Sequence, residues 1–327
     1  MEVSNVAWSI TVAITVAVLA FDVFIIARRP HEPSMRECAI AISIYVSLAL
    51  LFGLWVWFDY GGRYAGEFYA GWLTEYSLSV DNLFVFIIIM SRFSVPRKYQ
   101  QEALMIGIIL ALVFRGIFIA AGAVAIETIS WVFYLFGAFL IYTAWTLIRH
   151  KDGDDDEYQE NRVIRFAQRR LPATDQYDGV KLITKRNGKR LITPMLIVMI
   201  ALGSTDIMFA LDSIPAIYGL TQEPYLVFTA NVFALMGLRQ LYFLLGGLLD
   251  RLVYLSAGLS FVLAFIGVKL VLHALHENEL PFINGGEHVD VPEIPTWLSL
   301  IVIIITLTIT AIASLAKNRR DATAPAE

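Results

Sequence analysis

Two stretches of this chain set carboxylates into apolar surroundings. The first is Glu75-Tyr76-Ser77-Leu78-Ser79-Val80-Asp81-Asn82-Leu83-Phe84-Val85-Phe86, and the second is Asp206-Ile207-Met208-Phe209-Ala210-Leu211-Asp212-Ser213-Ile214-Pro215. They lie 131 residues apart, each has two acids six residues apart, and in each a small polar residue, Asn82 or Ser213, follows the second acid. An ionised side chain at the centre of a bilayer costs at least ~2.5 kcal/mol, so acids in such a place mark a site. Glu75, Asp81, Asn82, Asp206, Asp212 and Ser213 offer only oxygen ligands. That donor set suits Mn²⁺, Mg²⁺ or Ca²⁺ over Zn²⁺ or Cu⁺, which favour His and Cys. No His-Cys cluster and no His-Glu-x-x-His accompanies the acids.

Arg115 and Arg239 are the intramembrane cations that balance these acids or gate them. Four carboxylates against two guanidinium groups leave a surplus of two negative charges, which one divalent ion would neutralise. Asn231, Gln240 and Lys269 are secondary polar contacts within apolar segments. Carboxylates crowded into a poorly hydrated site hold protons when no cation is bound, so cation/proton exchange is the expected coupling.

The surroundings are those of a membrane protein. The 327 residues are 57% hydrophobic and 17% charged, against the ~25% charged usual in soluble domains, and the mean hydropathy is +0.65. The single cysteine, Cys38, excludes an intrachain disulfide. A first apolar run without a preceding Lys or Arg and without an Ala-x-Ala site reads as a transmembrane helix, not a cleaved signal. A span takes about 20 apolar residues, and nine segments qualify: 6–27, 38–58, 69–90, 103–122, 127–148, 194–217, 226–247, 252–273 and 297–316.

Lys and Arg alternate sharply between connections. Those after the odd-numbered spans are basic, whereas 59–68, 123–126, 218–225 and 274–296 hold only Arg63. The bias places the N-terminus outside and the C-terminus in the cytoplasm. The two acidic motifs then cross in opposite directions. Arg115 precedes Gly122 by seven residues in the fourth span, as Arg239 precedes Gly246 in the seventh. Spans 3–5 and 6–8 therefore read as an inverted-topology repeat with a site between its halves. The expected organisation is an all-α polytopic membrane protein: a two-helix segment, 1–68; a first repeat, 69–148; a cytoplasmic loop, 149–193; a second repeat, 194–273; and 274–327 with an outer loop, the last span and the tail.

Six residues on a straight helix are ~9 Å of rise and ~120° of rotation. The paired acids of one motif therefore form successive stations, or the helix breaks between them. Pro215 deprives the Leu211 carbonyl of its helical partner, and Gly203-Ser204-Thr205 loosens the turn before Asp206, so a break is expected in the sixth span. In the loop, 152–157 is an acidic linker, 162–171 a basic amphipathic helix at the membrane surface, and 181–193 a β-hairpin around Asn187-Gly188. Trp55, Trp57, Trp72, Trp131 and Trp297 sit where an interfacial belt belongs. The outer histidines and acids of 273–293 form a solvated loop.

At the motif residues, and at Asn231-Val-Phe-Ala-Leu-Met-Gly-Leu-Arg239, the sequence resembles the TerC/Alx family of integral membrane proteins from about residue 40 to 315. The resemblance implies a LysE-type three-plus-three repeat, ion ligation by Glu75, Asp81, Asp206 and Asp212 beside Asn82 and Ser213, and Mn²⁺ export across the plasma membrane. Expected partners are the divalent ion, the bilayer and membrane or secretion-machinery proteins met through the cytoplasmic loop, with no nucleic acid. The rival is a non-transporting scaffold whose acids and arginines are structural ion pairs. A metal-dependent hydrolase lacks an activated nucleophile.

Overall fold

A computed structural model describes residues 1, 3–28, 34–129, 131–149, 177–186, 189–245, 254–278, 280 and 283–323; within its helices the side chains of Asp22, Asp81 and Glu127, among others, lie outside the described set. Among the described residues the architecture is all-α apart from one hairpin. The helices are α1 (Asn5–Arg28), α2 (Met35–Tyr60), α3 (Gly62–Arg92), α4 (Arg97–Thr128), α5 (Val132–Arg149), α6 (Pro194–Tyr218), α7 (Pro224–Leu235), α8 (Leu238–Leu245), α9 (Leu255–His276) and α10 (Thr296–Thr323). Between α5 and α6, β1 (Ile183–Arg186) pairs antiparallel with β2 (Lys189–Ile192), Ile183 opposite Ile192. That is the expected hairpin; its Asn187-Gly188 turn, the acidic run 152–157 and the amphipathic stretch 162–171 lie outside the described residues.

Among the described residues, seven helical stretches are long and apolar enough to cross a membrane: Met35–Tyr60, Gly62–Ser91, Arg97–Ile126, Pro194–Tyr218, Pro224–Leu244, Ala257–His276 and Thr296–Lys317. Asn5–Val18 and Val132–Thr146 are shorter apolar helices at the two remaining expected spans. Local signals set the helix starts. Ser34 and Glu37 form a reciprocal capping box on α2, Glu37 N–H to Ser34 Oγ at 3.3 Å and Ser34 N–H to Glu37 Oε2 at 2.9 Å. Pro194 and Pro224 open α6 and α7, where a missing N–H is harmless. Large apolar side chains such as Leu51, Phe58, Ile309 and Ile312 are left exposed on α2 and α10, far beyond what a water-soluble surface carries.

Helix packing is reciprocal: α3 lies against α7 and α6 against α4, and α3 also meets α6, α4 meets α7 and α5 meets α9. At the α5–α9 contact the two backbones come close together. A Cβ on Gly137 would come within 2.8 Å of the Gly267 carbonyl oxygen, and one on Gly267 within 3.0 Å of the Gly137 carbonyl oxygen. Small residues at such a crossing let two backbones touch, which is how helices associate where apolar burial offers no driving force.

Two expectations are corrected. The sixth span is not interrupted: α6 runs unbroken through Pro215, which stands in the last turn, where only the Leu211 carbonyl loses a partner. The break falls in the seventh span instead, between α7 and α8, where Gly237 adopts φ +88°. Trp72 is no interfacial residue either. It is buried in a cluster with Ala49, Val56 and Phe68, whereas Trp55, Trp57, Trp131 and Trp297 are exposed as expected.

Candidate functional site: a buried carboxylate–arginine centre

α3 is 31 residues long and α6 is 25, so Glu75 and Asp206 stand near the middles of their helices. The side chain of Arg115, on α4, lies between them. It is paired with Glu75, and its Nη2 stands 3.5 Å from Asp206 Oδ1. Its Nη1 donates to Asn231 Oδ1 on α7 at 2.9 Å. Asn231 is held in turn by its own helix, Nδ2 donating to the Val227 carbonyl at 3.0 Å. One guanidinium thereby joins four helices, and all four side chains are buried.

The centre is not balanced. Two carboxylates share one guanidinium, and Glu75 Oε2 and Asp206 Oδ2 are buried without a hydrogen-bond partner. Leaving a buried charged acceptor unsatisfied costs upward of about 1–3 kcal/mol. A second cation supplying contacts to those oxygens would remove that penalty. Among the described residues, no group of three His, Cys, Asp or Glu side chains stands close enough to hold a metal on its own.

The other expected site residues disperse. Asp212, six residues beyond Asp206, turns to α5 and accepts a hydrogen bond from Thr143 Oγ1 at 3.2 Å. Ser213 is buried, with its hydroxyl unpartnered. Asn82 is buried on α3, seven residues past Glu75. The Asp81 side chain lies outside the described residues. Arg239 and Gln240 are buried on α8, just past the Gly237 break, with Arg239 in electrostatic range of Cys38 on α2. Lys269 lies elsewhere. It lines a cavity of about 1090 Å³ with Arg63, Glu67, Thr221, His273 and Glu293.

That cavity gathers residues of the connections 59–68, 218–225 and 274–296 at one end of the bundle. Glu67 is buried there, accepting from Arg63 Nε at 3.0 Å and from Thr221 Oγ1 at 2.7 Å. The sequence pattern puts Glu67 in the connection 59–68 and does not single out Thr143. Thr143 carries no sequence signal, being one hydroxyl in an apolar run. Glu67 does carry one: it is an acid about two turns before Glu75, rotated from it by about 80° around the helix.

Residues 60–322 match the family model described as the integral membrane protein TerC family. The chain belongs to the TerC family. It is thus an integral, multi-pass membrane protein. An uncharacterized membrane protein of Mycobacterium tuberculosis (strain ATCC 25618 / H37Rv) is 48% identical over 338 residues, covering 99% of this chain and 85% of that protein. A Salmonella typhi TerC relative named putative membrane-bound redox modulator Alx is 35% identical, covering 93% of this chain and 92% of its own. The chloroplastic thylakoid membrane protein TERC of Arabidopsis thaliana is 38% identical over 242 residues, covering 74% and 63%. No solved structure matches this TerC chain.

Proposed function

We propose that the protein exports a divalent cation, Mn²⁺ foremost, across the plasma membrane by alternating access at the Glu75–Asp206 centre. The observation that carries this is the imbalance there: two buried carboxylates, one guanidinium, and two carboxylate oxygens without a partner. Two carboxylates neutralise one divalent ion; one guanidinium neutralises half as much. Arg115 acts as a tethered stand-in that keeps the acids in place between cargo ions. Asn231 gives the guanidinium a neutral berth at 2.9 Å when an ion takes its place on the acids.

Asp212, with Thr143, is a separate station along the same helix, about 9 Å away by helical rise. The all-oxygen donors favour Mn²⁺, Mg²⁺ and Ca²⁺ as a class, and the choice of Mn²⁺ and of the outward direction follows the family resemblance. Exchange against protons is the coupling this reading expects, so flux should respond to an imposed pH gradient. The wide cavity beside Glu67 and Lys269 is the outer mouth.

One observation favours a second reading. Arg115 bridges α3, α4, α6 and α7, as a structural clip in a non-transporting scaffold would. Mn²⁺ flux in proteoliposomes separates the two. A carrier loses flux in Glu75→Gln and Asp206→Asn while staying folded. A scaffold shows only leak in every case, wild type included, and loses stability instead.

A further inference from the structure

Helical serines and threonines normally satisfy their hydroxyls on the carbonyl one turn back, and this chain follows that habit widely. Ser77 donates to the Leu73 carbonyl at 2.8 Å, Thr205 to Ala201 at 2.7 Å, Thr229 to Tyr225 at 2.8 Å and Ser314 to Thr310 at 2.8 Å. Among the described residues, four buried hydroxyls have no hydrogen-bond partner: those of Thr74, Ser79, Ser213 and Ser299. Three of the four are on α3 and α6, within one turn of a motif acid.

Ser79 is the most pronounced of them. Its side chain is fully buried, at 0% exposure, and its Oγ leaves the Glu75 carbonyl, four residues back, unused. A buried hydroxyl without a bond costs about 1–3 kcal/mol, and a rotation about one bond could recover most of that. Glu75, Ser79 and Asn82 are spaced four and three residues apart, so they line one stripe of α3. By helical rise, Ser79 is about 6 Å from Glu75 and Asn82 about 4.5 Å further. On α6 the counterpart stripe holds Asp206 and Ser213, seven apart, with Ala210 between them. Ser79 is therefore an addition to one half of the repeat only.

We propose that Ser79 and Asn82 form a second cation station on α3, through which a partly hydrated divalent ion reaches Glu75 and Asp206. The inference rests on the transport reading above and names the residues on one side of the same centre. Ions of this class shed water reluctantly. A hydroxyl and an amide carbonyl, spaced a turn apart along the route, replace or hold that water without adding charge. Ser79 is then a ligand-side residue, and the unused helical bond is what leaves its oxygen available.

The test uses the full-length protein in proteoliposomes, following Mn²⁺ and Cd²⁺ influx separately in wild type, Ser79→Ala, Ser79→Cys and Ser77→Ala. Ser77, whose hydroxyl is satisfied on its own helix, is the local control and keeps wild-type flux. Removing the Ser79 oxygen should raise the apparent KM for Mn²⁺ about tenfold, the scale of losing one outer contact of a metal ion. A thiol at that position should raise the Cd²⁺-to-Mn²⁺ flux ratio by about tenfold or more, because sulfur ligands favour the softer ion. If Ser79→Ala is poorly folded, the near-isosteric Ser79→Cys decides alone. Wild-type KM in Ser79→Ala, or an unchanged ion ratio in Ser79→Cys, would overturn the station and leave the transport reading standing. Leak-level flux in wild type would overturn both.

Discussion

Arg115 on α4 donates to Asn231 on α7 at 2.9 Å, and this bond decides which way the guanidinium is turned between Glu75 and Asp206. Without this neutral acceptor, the guanidinium would have only the two acids to satisfy its donors. Asn231→Leu should therefore destabilise the protein by about 1.5–3 kcal/mol, the worth of a hydrogen bond to a charged group. Thermal unfolding in detergent reads it. An unchanged midpoint would mean that the acids alone hold Arg115.

Arg115→Met leaves two buried carboxylates facing each other without compensation. Breaking a buried pair from one side costs about 3–5 kcal/mol. The triple variant Arg115→Met, Glu75→Gln, Asp206→Asn should recover most of that stability, since no buried charge is then uncompensated. Mn²⁺ flux should stay at leak level in both. Stability loss that persists in the triple variant would assign Arg115 a packing role beyond its charge.

Gly137 and Gly267 meet backbone to backbone where α5 crosses α9. Gly267→Leu would force its side chain against the Gly137 carbonyl oxygen, 3.0 Å from the new Cβ. Over-packing of this kind costs about 1–3 kcal/mol. The matching Gly137→Leu should give a similar loss, because the contact is reciprocal. Urea-induced unfolding of the two variants checks both the size and the symmetry of the effect.

At the break in the seventh span, Gly237 has φ +88°, and an added Cβ would stand 3.0 Å from the Tyr45 ring. Gly237→Ala should be destabilised by roughly 1–2 kcal/mol, the penalty of a left-handed conformation for a residue with a Cβ. If the break serves transport, flux should fall by more than the loss of folded protein explains. Flux normalised to folded protein is the measurement.

Asp212 and Asp206 are separated on α6, and their substitutions should separate too. Thr143→Val removes the one described hydrogen bond to Asp212 and should cost about 1.5–3 kcal/mol with the charge still in place. Asp212→Asn should abolish Mn²⁺ flux with less than that loss of stability, because the amide oxygen can still accept from Thr143. Full flux in Asp212→Asn would remove Asp212 from the path.

The membrane character, the helix positions and the two acidic motifs are legible along the chain, because apolar run length and charge spacing are one-dimensional properties. So is the six-residue spacing, which on an unbroken helix rotates the second acid by about 120°. That left open whether each helix breaks to bring its acids together. Only the tertiary structure decided: α3 and α6 run through, Asp206 turns to Arg115, and Asp212 turns to Thr143 on another helix. Pro215 pointed to a break that did not form, since a proline in a last turn has little helix left to disrupt. Gly237 broke the seventh span instead, which no spacing rule ranks above an ordinary glycine. Arg115, Asn231 and Thr143 could each be seen as polar in an apolar run. Which acid each would meet depends on how four helices rotate against one another, and side-chain packing sets that rotation, not local sequence.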